Sequence, residues 1–311
     1  NGHAACTRAL LDAKANIESN ENNGYTALLV ASQEGRSECT QMLIDCKADI
    51  EARGNDGYTA LHTAALDGQI ACARVLMDAK ANLDAKDNNG LTPLIVAAQR
   101  GYSSYMQVLI GMKADIDAQA NNGETALLVA AVDGHITCAQ MLIDAKVNLE
   151  ATIKAGYTPL YAAAEKNHIA CLQVLIDAKG DLEAKGDNGY TALFAAVLNG
   201  RIACAQVLIN AKADVNTKEK NDSSALIVAA QEGHTACAQI LIDAKADIEA
   251  KDKSGYNALL VAASEGHSGC VQALINAEAD IGVSCQGRTA LEYASAMKHH
   301  DVVDVLVSRK I

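Results

Sequence analysis

The sequence repeats itself every 33 residues, and no other feature constrains its fold as strongly. In each full repeat but one a glycine marks the same phase, with Asp222 as the exception, and Thr, Ser or Asn follows two residues later. These two series are Gly24, Gly57, Gly90, Gly123, Gly156, Gly189 and Gly255, and Thr26, Thr59, Thr92, Thr125, Thr158, Thr191, Ser224 and Asn257. The period predicts full repeats at 21–53, 54–86, 87–119, 120–152, 153–185, 186–218, 219–251 and 252–284, with a partial repeat at 1–20 and a shorter C-terminal cap at 285–311. Composition does not change along the chain, so we predict a single domain, 1–311, without a linker.

Each repeat carries the signals of two short helices followed by an extended finger. The Thr, Ser or Asn is predicted to be an N-cap, because its side-chain oxygen accepts a hydrogen bond from a free amide of the next turn. In the first full repeat the apolar run 26–32 predicts one helix, Gly35 ends it, and Glu38 to Asp45 predicts a second. An acidic stretch and an Asn-Gly or Asp-Gly pair then predict a β-turn. Helices this short are unstable alone, so neighbouring repeats must stack and bury a shared core of Ala, Leu, Ile and Val.

This unit resembles the ankyrin repeat in its length and in its motifs. The matching motifs are Gly57-Tyr58-Thr59-Ala60-Leu61-His62 with Ala64-Ala65, Gly156-Tyr157-Thr158-Pro159-Leu160 with Ala163-Ala164, and the later pairs Gly134-His135, Gly233-His234 and Gly266-His267. The likeness covers essentially the whole chain. It implies an all-α fold, an ankyrin-repeat α-solenoid with a helix-turn-helix and a β-turn finger per 33-residue unit, in a right-curved stack of about nine to ten repeats.

The chain departs from the family pattern at three positions. The family proline is usually Ala here. The family histidine survives only as His62, and apolar or aromatic residues replace it elsewhere, namely Leu29, Ile95, Leu128, Tyr161, Phe194, Ile227 and Leu260. The glycine that ends the second helix is replaced by lysine at Lys47, Lys80, Lys113, Lys146, Lys179, Lys212 and Lys245. A lysine there is mildly strained in the left-handed conformation, but its charge suits a helix C-terminus. We expect these changes to alter stability and to leave the fold intact.

Cysteines recur with the repeat, which argues against disulfides. Cys6, Cys39, Cys72, Cys138, Cys171, Cys204, Cys237 and Cys270 share one phase, while Cys46 and Cys285 lie off it. Equivalent helices in stacked repeats lie about 8–10 Å apart, whereas a disulfide needs Cα atoms within about 7 Å. We therefore expect the in-phase cysteines to be small core residues. So many unpaired thiols predict an intracellular, reducing compartment, most simply the cytoplasm.

The recurring His-x-x-Cys pattern has two interpretations. It is a candidate pair of metal ligands, or it is the family's Gly-His turn followed by a core cysteine. A structural zinc needs four converging ligands, and stacking separates the pairs, so we expect no metal and no cofactor. His299 and His300, in the terminal unit, are expected to be solvated.

The remaining motifs and the charge exclude several classes of function. None of the nucleophile, phosphate-loop, zinc-protease or dinucleotide motifs occurs, so we predict no catalytic residues, no enzyme activity and no small-molecule substrate. A net charge of −12 makes phosphate binding, and thus nucleic acid, an unfavourable partner. No apolar run approaches the length of a membrane span. The acidic residues of the fingers recur and alternate with lysines, which predicts solvated fingers linked by salt bridges. Asn216 lies in a context that resembles a site of asparagine hydroxylation.

Positions that differ between otherwise similar repeats are free to serve recognition. The residue after the first glycine of each repeat lies on the finger, and the last residues of the first helix lie beside it. Tyrosine is favoured in interfaces because it offers area, rigidity and a polar tip, although packing of finger on finger is the alternative. The predicted partner-binding residues on this concave strip are Tyr25, Tyr58, Leu66, Leu91, Gln99, Arg100, Glu124, Val132, Tyr157, Glu165, Tyr190, Leu198 and Tyr256. The alternating acids predict a partner with basic groups.

The two ends complete the sequence-based hypothesis. The chain begins in mid-repeat at Asn1-Gly2-His3, and its helix Ala4 to Asp12 is expected to expose an apolar face, as in a fragment, a processed chain or a chain covered there by another molecule. The last unit, with Lys298, Asp301 and the end Ser308-Arg309-Lys310-Ile311, is polar enough for a cap. We predict a non-catalytic scaffold that binds a partner protein through the concave finger and first-helix surface. The alternative is a structural or linker subunit that contacts its neighbours along the helical back or the ends.

Overall fold

The computed structural model describes residues 4–308, in which nineteen helices and one short hairpin of strands form the regular structure. These residues form two compact units that divide after Lys154. We call them unit 1 (4–154) and unit 2 (155–308). Each unit is built from pairs of short helices joined by tight turns, so the all-α class predicted from the repeats is confirmed.

Unit 1 contains nine helices in two layers. We call the first helix of each repeat the inner helix and the second the outer helix. Each inner helix packs against the next inner helix, and each outer helix against the next outer helix. The inner helices are α2 (Ala27–Gln33), α4 (Ala60–Leu66), α6 (Pro93–Gln99) and α8 (Ala126–Asp133). The outer helices are α1 (Ala4–Asp12), α3 (Ser37–Asp45), α5 (Ile70–Asp78), α7 (Ser103–Gly111) and α9 (Ile136–Asp144).

Unit 2 has the same two layers and ends in a modified repeat. Its inner helices are α10 (Pro159–Glu165), α12 (Ala192–Leu198), α14 (Ala225–Gln231), α16 (Ala258–Glu265) and α18 (Ala290–Met297). Its outer helices are α11 (Ile169–Asp177), α13 (Ile202–Asn210), α15 (Thr235–Asp243), α17 (Ser268–Asn276) and α19 (His300–Ser308). The last finger is a two-stranded antiparallel hairpin, in which β1 (Ser284–Cys285) pairs with β2 (Arg288–Thr289) and Ser284 lies opposite Thr289.

The predicted N-caps of the inner helices are confirmed in all full repeats but one. The side chains that accept the hydrogen bond from the third helical residue are Thr92, Thr125, Thr158, Thr191, Ser224 and Asn257, and Thr59 forms a capping box with His62. Thr26 differs, because its buried hydroxyl accepts no cap hydrogen bond and has no partner among the described residues. Pro93 and Pro159 lie at the first helical position.

The residues that end the helices have the left-handed backbone that their positions require. Gly35 ends the first inner helix of unit 1 with a φ of 70°, and Lys47 follows its outer helix with a φ of 71°. The other lysines of this phase behave alike, namely Lys80, Lys113, Lys146, Lys179, Lys212 and Lys245. The replacement of the family glycine by lysine therefore places a side chain in a backbone conformation that is mildly strained for any residue except glycine.

Alanines, leucines and the in-phase cysteines of the helices form most of the core. Seven of the in-phase cysteines are buried, and Cys6 on α1 is exposed. Tyr105 on α7 occupies the cysteine position in its repeat and is fully buried, and its hydroxyl donates a hydrogen bond to the Leu61 carbonyl at 2.7 Å. The prediction that the in-phase cysteines are core residues thus holds for the full repeats, while Cys6 lies on the exposed first helix.

Hydrogen bonds to the main chain, rather than salt bridges, join successive fingers. Asp84 accepts a bond from the main-chain N–H of Asp115 at 2.8 Å, and Asp117 accepts one from that of Asn148 at 2.8 Å. Lys86 donates to the carbonyl of Gln119 at 2.8 Å. The expectation of salt-linked fingers is therefore wrong for these residues. Their charged groups form hydrogen bonds with main-chain groups of a neighbouring repeat instead.

The chain ends differ from the middle. No residue of α1 is buried, and Leu10 is 61% exposed, so the predicted exposed face is present. The predictions for Asn1-Gly2-His3 and for Arg309-Lys310-Ile311 fall outside the described residues. His299 is not simply solvated as expected, since its Nε2 lies 2.9 Å from the carbonyl oxygen of Ser264. None of the helices within 4–308 has the length and apolar character needed to cross a bilayer.

Candidate protein-binding surface

The predicted recognition residues lie on the fingers and at the C-terminal ends of the inner helices. We call this surface the inner face of each unit. Unit 1 contributes Tyr25, Tyr58, Leu66, Leu91, Gln99, Arg100, Glu124 and Val132, and unit 2 contributes Tyr157, Glu165, Tyr190, Leu198 and Tyr256. Every one of these side chains is at least partly exposed, as a binding residue must be.

Tyr25, on the first finger of unit 1, is tied to the next finger. Its hydroxyl donates a 2.6 Å hydrogen bond to Oδ2 of Asp56. The pKa of Tyr25 lies well above its usual value. Burial is the largest cause, followed by the hydrogen bond to Asp56 and the negative charge of Asp56. The ring lies directly over Gly54, where a Cβ would collide with it. Tyr25 therefore packs finger on finger, as the alternative to a binding role predicted.

Tyr58, one finger further, stacks on the helix that follows it. Its ring lies 5.3 Å from that of His62, with the planes within 2° of parallel. The fully buried His62 accepts the Thr59 main-chain N–H on Nδ1 and lies 3.0 Å from the Leu91 carbonyl through Nε2. Because a carbonyl only accepts, the proton resides on Nε2. Burial lowers the pKa of His62, although the Leu91 carbonyl opposes that shift.

Unit 2 carries two stacked aromatic pairs on successive repeats. The ring of Tyr157 lies 4.0 Å from that of Tyr161 at an angle of 13°, and Tyr190 lies 4.3 Å from Phe194 at 18°. Tyr161 is 6% and Phe194 is 3% exposed, so in each pair a buried ring on the helix supports a partly exposed ring on the finger. We call these four residues the unit 2 aromatic cluster.

The cluster is compact, and burial dominates its chemistry. Burial, and then the neighbouring Tyr157 and Glu165, raise the pKa of Tyr161, whose hydroxyl is hydrogen-bonded to Tyr157. Burial, followed by the charge of Glu219, raises the pKa of Tyr190. These hydroxyls thus stay protonated at neutral pH. One edge of the Tyr157 ring, at Cδ1 and Cε1, lies against Gly186 of the next finger, and a Cβ there would collide with it.

Two carboxylates border this cluster. Glu219 is 8% exposed and accepts the main-chain N–H groups of Asn221 and Ser223 on Oε1, at 2.8 and 3.2 Å. Glu165, at the end of α10, pairs with Lys166 at 3.1 Å. Two carboxylates thus lie next to the rings, one largely buried and one paired with a lysine.

Tyr256 occupies the same finger position at the far end of unit 2 and has a different partner. Its hydroxyl lies 2.9 Å from that of Tyr293 on α18. This hydrogen bond, followed by burial, raises the pKa of Tyr256 to about 12. The guanidinium of Arg288 lies 6.0 Å from the centre of the Tyr293 ring.

The sequence analysis missed the residues that hold the tyrosines in place. These are Asp56, His62, Tyr161, Phe194 and Tyr293, together with Gly54, Gly186 and Glu219. Two signals were available: an aromatic residue four positions after the tyrosine, and a glycine 29 positions after Tyr25 and Tyr157.

The recurring histidines have structural partners. The Nε2 atoms of His135, His234 and His267 lie 3.0–3.2 Å from carbonyl oxygens at the ends of the preceding inner helices. Within residues 4–308 no three His, Cys, Asp or Glu side chains come together as metal ligands would. These contacts fit the second interpretation of the His-x-x-Cys pattern, in which the histidine belongs to a turn and the cysteine to the core.

Asn216 is exposed and takes part in the hydrogen bonds between successive fingers. Its Oδ1 accepts the main-chain N–H of Asp247 at 2.8 Å, where other repeats use a carboxylate. Hydroxylation of Asn216 stays a prediction.

A family model described as ankyrin repeats, in three copies, matches this chain throughout its length. The matched segments are 1–54, 47–120, 80–153, 106–185, 146–219, 179–252 and 226–311. No curated protein matches the chain.

Proposed function

The chain belongs to the ankyrin-repeat family, and from this premise we propose that it is a non-catalytic scaffold that binds a partner protein through its inner face. Ankyrin repeats in general are modules of protein–protein interaction. We place the main contact on unit 2, at Tyr157, Glu165, Tyr190 and Leu198.

The aromatic cluster of unit 2 is the observation that carries this proposal. The whole chain has nine Tyr, one Phe and no Trp, and four of these ten aromatic residues lie in the cluster. The core does not require them, because other repeats have Leu or Ile at the positions of Tyr161 and Phe194. Rigid, partly exposed aromatic side chains are typical of the energetic centre of an interface.

The exposed isoleucines of the outer helices support the structural-subunit alternative. Ile169 and Ile202, at the first positions of α11 and α13, are 40% and 45% exposed. Scattered exposed apolar residues are common on protein surfaces, so they support an interface less strongly than the clustered rings do.

The test locates the contact before it measures affinity. A photo-crosslinking amino acid is placed either at Leu198 on the inner face or at Gln206 on the exposed side of α13, and crosslinked peptides are identified by mass spectrometry. We expect crosslinks from Leu198 and none from Gln206. Crosslinks from Gln206 alone would establish the structural-subunit alternative instead.

Affinity of the crosslinked partner is then measured for matched variants. We expect Tyr157→Leu with Tyr190→Leu to weaken binding about tenfold or more, because hot-spot aromatics contribute at least 1–2 kcal/mol. Leucine is chosen because Leu91 occupies this finger position naturally. The control, Ile169→Ala with Ile202→Ala, removes apolar surface from the outer helices of the same unit. Unchanged affinity in the tyrosine variant, with circular dichroism showing that it is folded at the temperature of the measurement, would contradict the proposal.

We also propose that the chain works in a reducing, intracellular compartment such as the cytoplasm. Eight of its ten cysteines follow the repeat rather than a pairing pattern, and most of the ten are buried in separate helices.

A further inference from the structure

The outer rings of the unit 2 aromatic cluster present a surface on which a planar cation can stack. Tyr157 and Tyr190 are partly exposed, and each is fixed by a buried ring beneath it, at 4.0 Å and 4.3 Å. The face of an aromatic ring is electron-rich, so a cation placed over it is attracted. Rings that are already held in place lose little conformational freedom on binding.

Beside these rings lies a carboxylate whose charge is not matched by a cation. Oε1 of Glu219 takes two main-chain N–H groups of its own finger. Oε2 of Glu219 forms no hydrogen bond or ion pair with any residue in 4–308. Glu219 lies against the finger that carries Tyr190, since a Cβ on the adjacent Gly189 would be 3.2 Å from the Glu219 Cα. After burial, its charge also contributes to the raised pKa of Tyr190.

The cationic side chains nearby are engaged elsewhere or exposed to solvent. Arg201 uses Nε to donate to the Glu165 carbonyl at 3.2 Å. Lys166 pairs with Glu165 at the surface, where an ion pair contributes little stability and exchanges readily. The cluster therefore has acidic neighbours and an uncovered aromatic surface.

Unit 1 offers an internal comparison. There Tyr58 stacks on His62 in a similar way, but two arginines act on the pair. Burial raises the pKa of Tyr58 and the charge of Arg100 opposes that shift, while burial lowers the pKa of His62 and the charge of Arg53 acts in the same direction. No arginine influences the titration of Tyr161 or Tyr190 in this way. At the positions that correspond to Arg100, 42 residues after Tyr157 and Tyr190, unit 2 has Asn199 and Glu232.

We propose that the unit 2 aromatic cluster binds the guanidinium group of an arginine in the partner protein, with Glu219 as its counter-ion. This inference rests on the proposed function, because it names the group that the same surface recognises. A guanidinium is flat, stacks on aromatic faces and donates several hydrogen bonds in its plane, whereas the ammonium of lysine is a compact, strongly hydrated charge. The net charge of −12 favours approach of a basic segment.

The experiment uses the full chain with ¹³C-labelled tyrosine rings, observed by NMR. The nine tyrosine signals are assigned with single Tyr→Phe variants. The probes are N-acetylarginine amide, the neutral and nearly isosteric N-acetylcitrulline amide, and N-acetyllysine amide. We expect saturable shifts of Tyr157 and Tyr190 with the arginine probe, and binding about fivefold weaker or more for the other two.

Matched variants separate charge from shape. Glu219→Gln keeps an oxygen that caps the finger turn but removes the charge, so it should weaken arginine binding about fivefold. Asp177→Asn, on the exposed end of α11 in the same unit, removes the same charge and should have no effect. Pentafluorophenylalanine at position 190 reverses the charge of the ring face and should weaken binding further than Tyr190→Phe does.

Each outcome decides the inference. Equal affinity for arginine and citrulline probes, equal affinity for arginine and lysine probes, or no saturable shift with arginine would overturn it. So would a loss of affinity in Asp177→Asn as large as that in Glu219→Gln. If the partner crosslinks from Leu198 while the arginine probe fails, only this inference falls. If the crosslinks come from Gln206 alone, the proposed function itself falls.

Discussion

The ring of Tyr157 stacks on the ring of Tyr161, with their centres 4.0 Å apart and their planes within 13° of parallel. The first residue lies on a finger and the second on the inner helix α10 that follows it. The chain turns between them at the N-cap Thr158, so that two residues four positions apart in the sequence stack on each other. The pair thus couples a surface residue of the inner face to the core.

This coupling is measurable as a double-mutant cycle. We expect Tyr157→Leu, Tyr161→Leu and the double variant to show an interaction free energy of about 0.5–1.5 kcal/mol in urea unfolding, because stacked aromatics contribute this much beyond their buried area. Tyr161→Leu combined with Tyr256→Leu, three repeats apart, is the control and should be additive. Additive effects of Tyr157 and Tyr161 would contradict the role assigned to the stack.

The buried His62 predicts a pH-dependent stability of unit 1. Burial lowers the pKa of His62 in the folded state. At pH values between the two pKa values the unfolded chain therefore binds a proton at His62 and the folded chain does not. Stability is therefore fully present above the unfolded pKa of about 6.5 and is lost as the pH falls below it, by up to about 1.4 kcal/mol per pH unit. Urea midpoints measured between pH 7.5 and pH 5 report this loss.

The matched variant for this prediction is His62→Leu. Leucine occupies the equivalent position at Leu29, Leu128 and Leu260, so the helix tolerates it. We expect the variant to lose the part of the pH slope that His62 causes, while the slope due to carboxylates remains. A slope identical to that of the unmodified chain would show that His62 titrates normally.

The cysteines should fall into two reactivity classes. Cys6 and Cys46 are exposed, whereas the other eight are buried. Burial raises the pKa of Cys237 to about 11 and shifts the pKa values of Cys72, Cys204 and Cys270 in the same direction, so little thiolate forms at neutral pH. Native-state maleimide labelling, followed by peptide mass spectrometry, should modify Cys6 and Cys46 at least about a hundredfold faster. Rapid labelling of Cys6→Ser/Cys46→Ser would disprove this division.

The hydroxyl of Tyr105 is expected to stabilise unit 1. It is buried between helices and donates to the Leu61 carbonyl at 2.7 Å, so Tyr105→Phe should lower the free energy of unfolding by about 1 kcal/mol. Tyr102→Phe, at the start of the same helix and partly exposed, should change it by less than about 0.5 kcal/mol. Equal effects of the two variants would mean that the buried hydrogen bond contributes nothing.

The lysines with a left-handed backbone conformation are positions where substitution by glycine should raise stability. Lys146 is exposed and has a φ of 68°, so Lys146→Gly relieves strain that any Cβ causes there. The relief outweighs the added freedom of glycine in the unfolded chain, and we expect a gain of about 0.5 kcal/mol in thermal or urea unfolding. Lys146→Ala keeps the Cβ and should give no gain. A gain in the alanine variant would show that removal of the charge, rather than of the strain, is responsible.

The sequence alone predicted the 33-residue period, the pairs of helices, most of the caps and the burial of most in-phase cysteines, and the structure has these helices, caps and buried thiols. These features depend on local propensity and on a pattern that recurs in register, so each repeat supports the interpretation of the others. The candidate inner face was also predictable, since it consists of the positions that vary within an otherwise constant unit.

Only the tertiary structure decided how the tyrosines of that face are used. Tyr25 binds Asp56 on the next finger, Tyr157 stacks on Tyr161, and Tyr190 stacks on Phe194 beside Glu219. These partners are set by where the fingers of stacked repeats come to lie, and repeats identical in phase provide different side chains there. The same packing explains why finger carboxylates bind main-chain N–H groups instead of lysines, because distance in space, which periodicity does not specify, determines the partner.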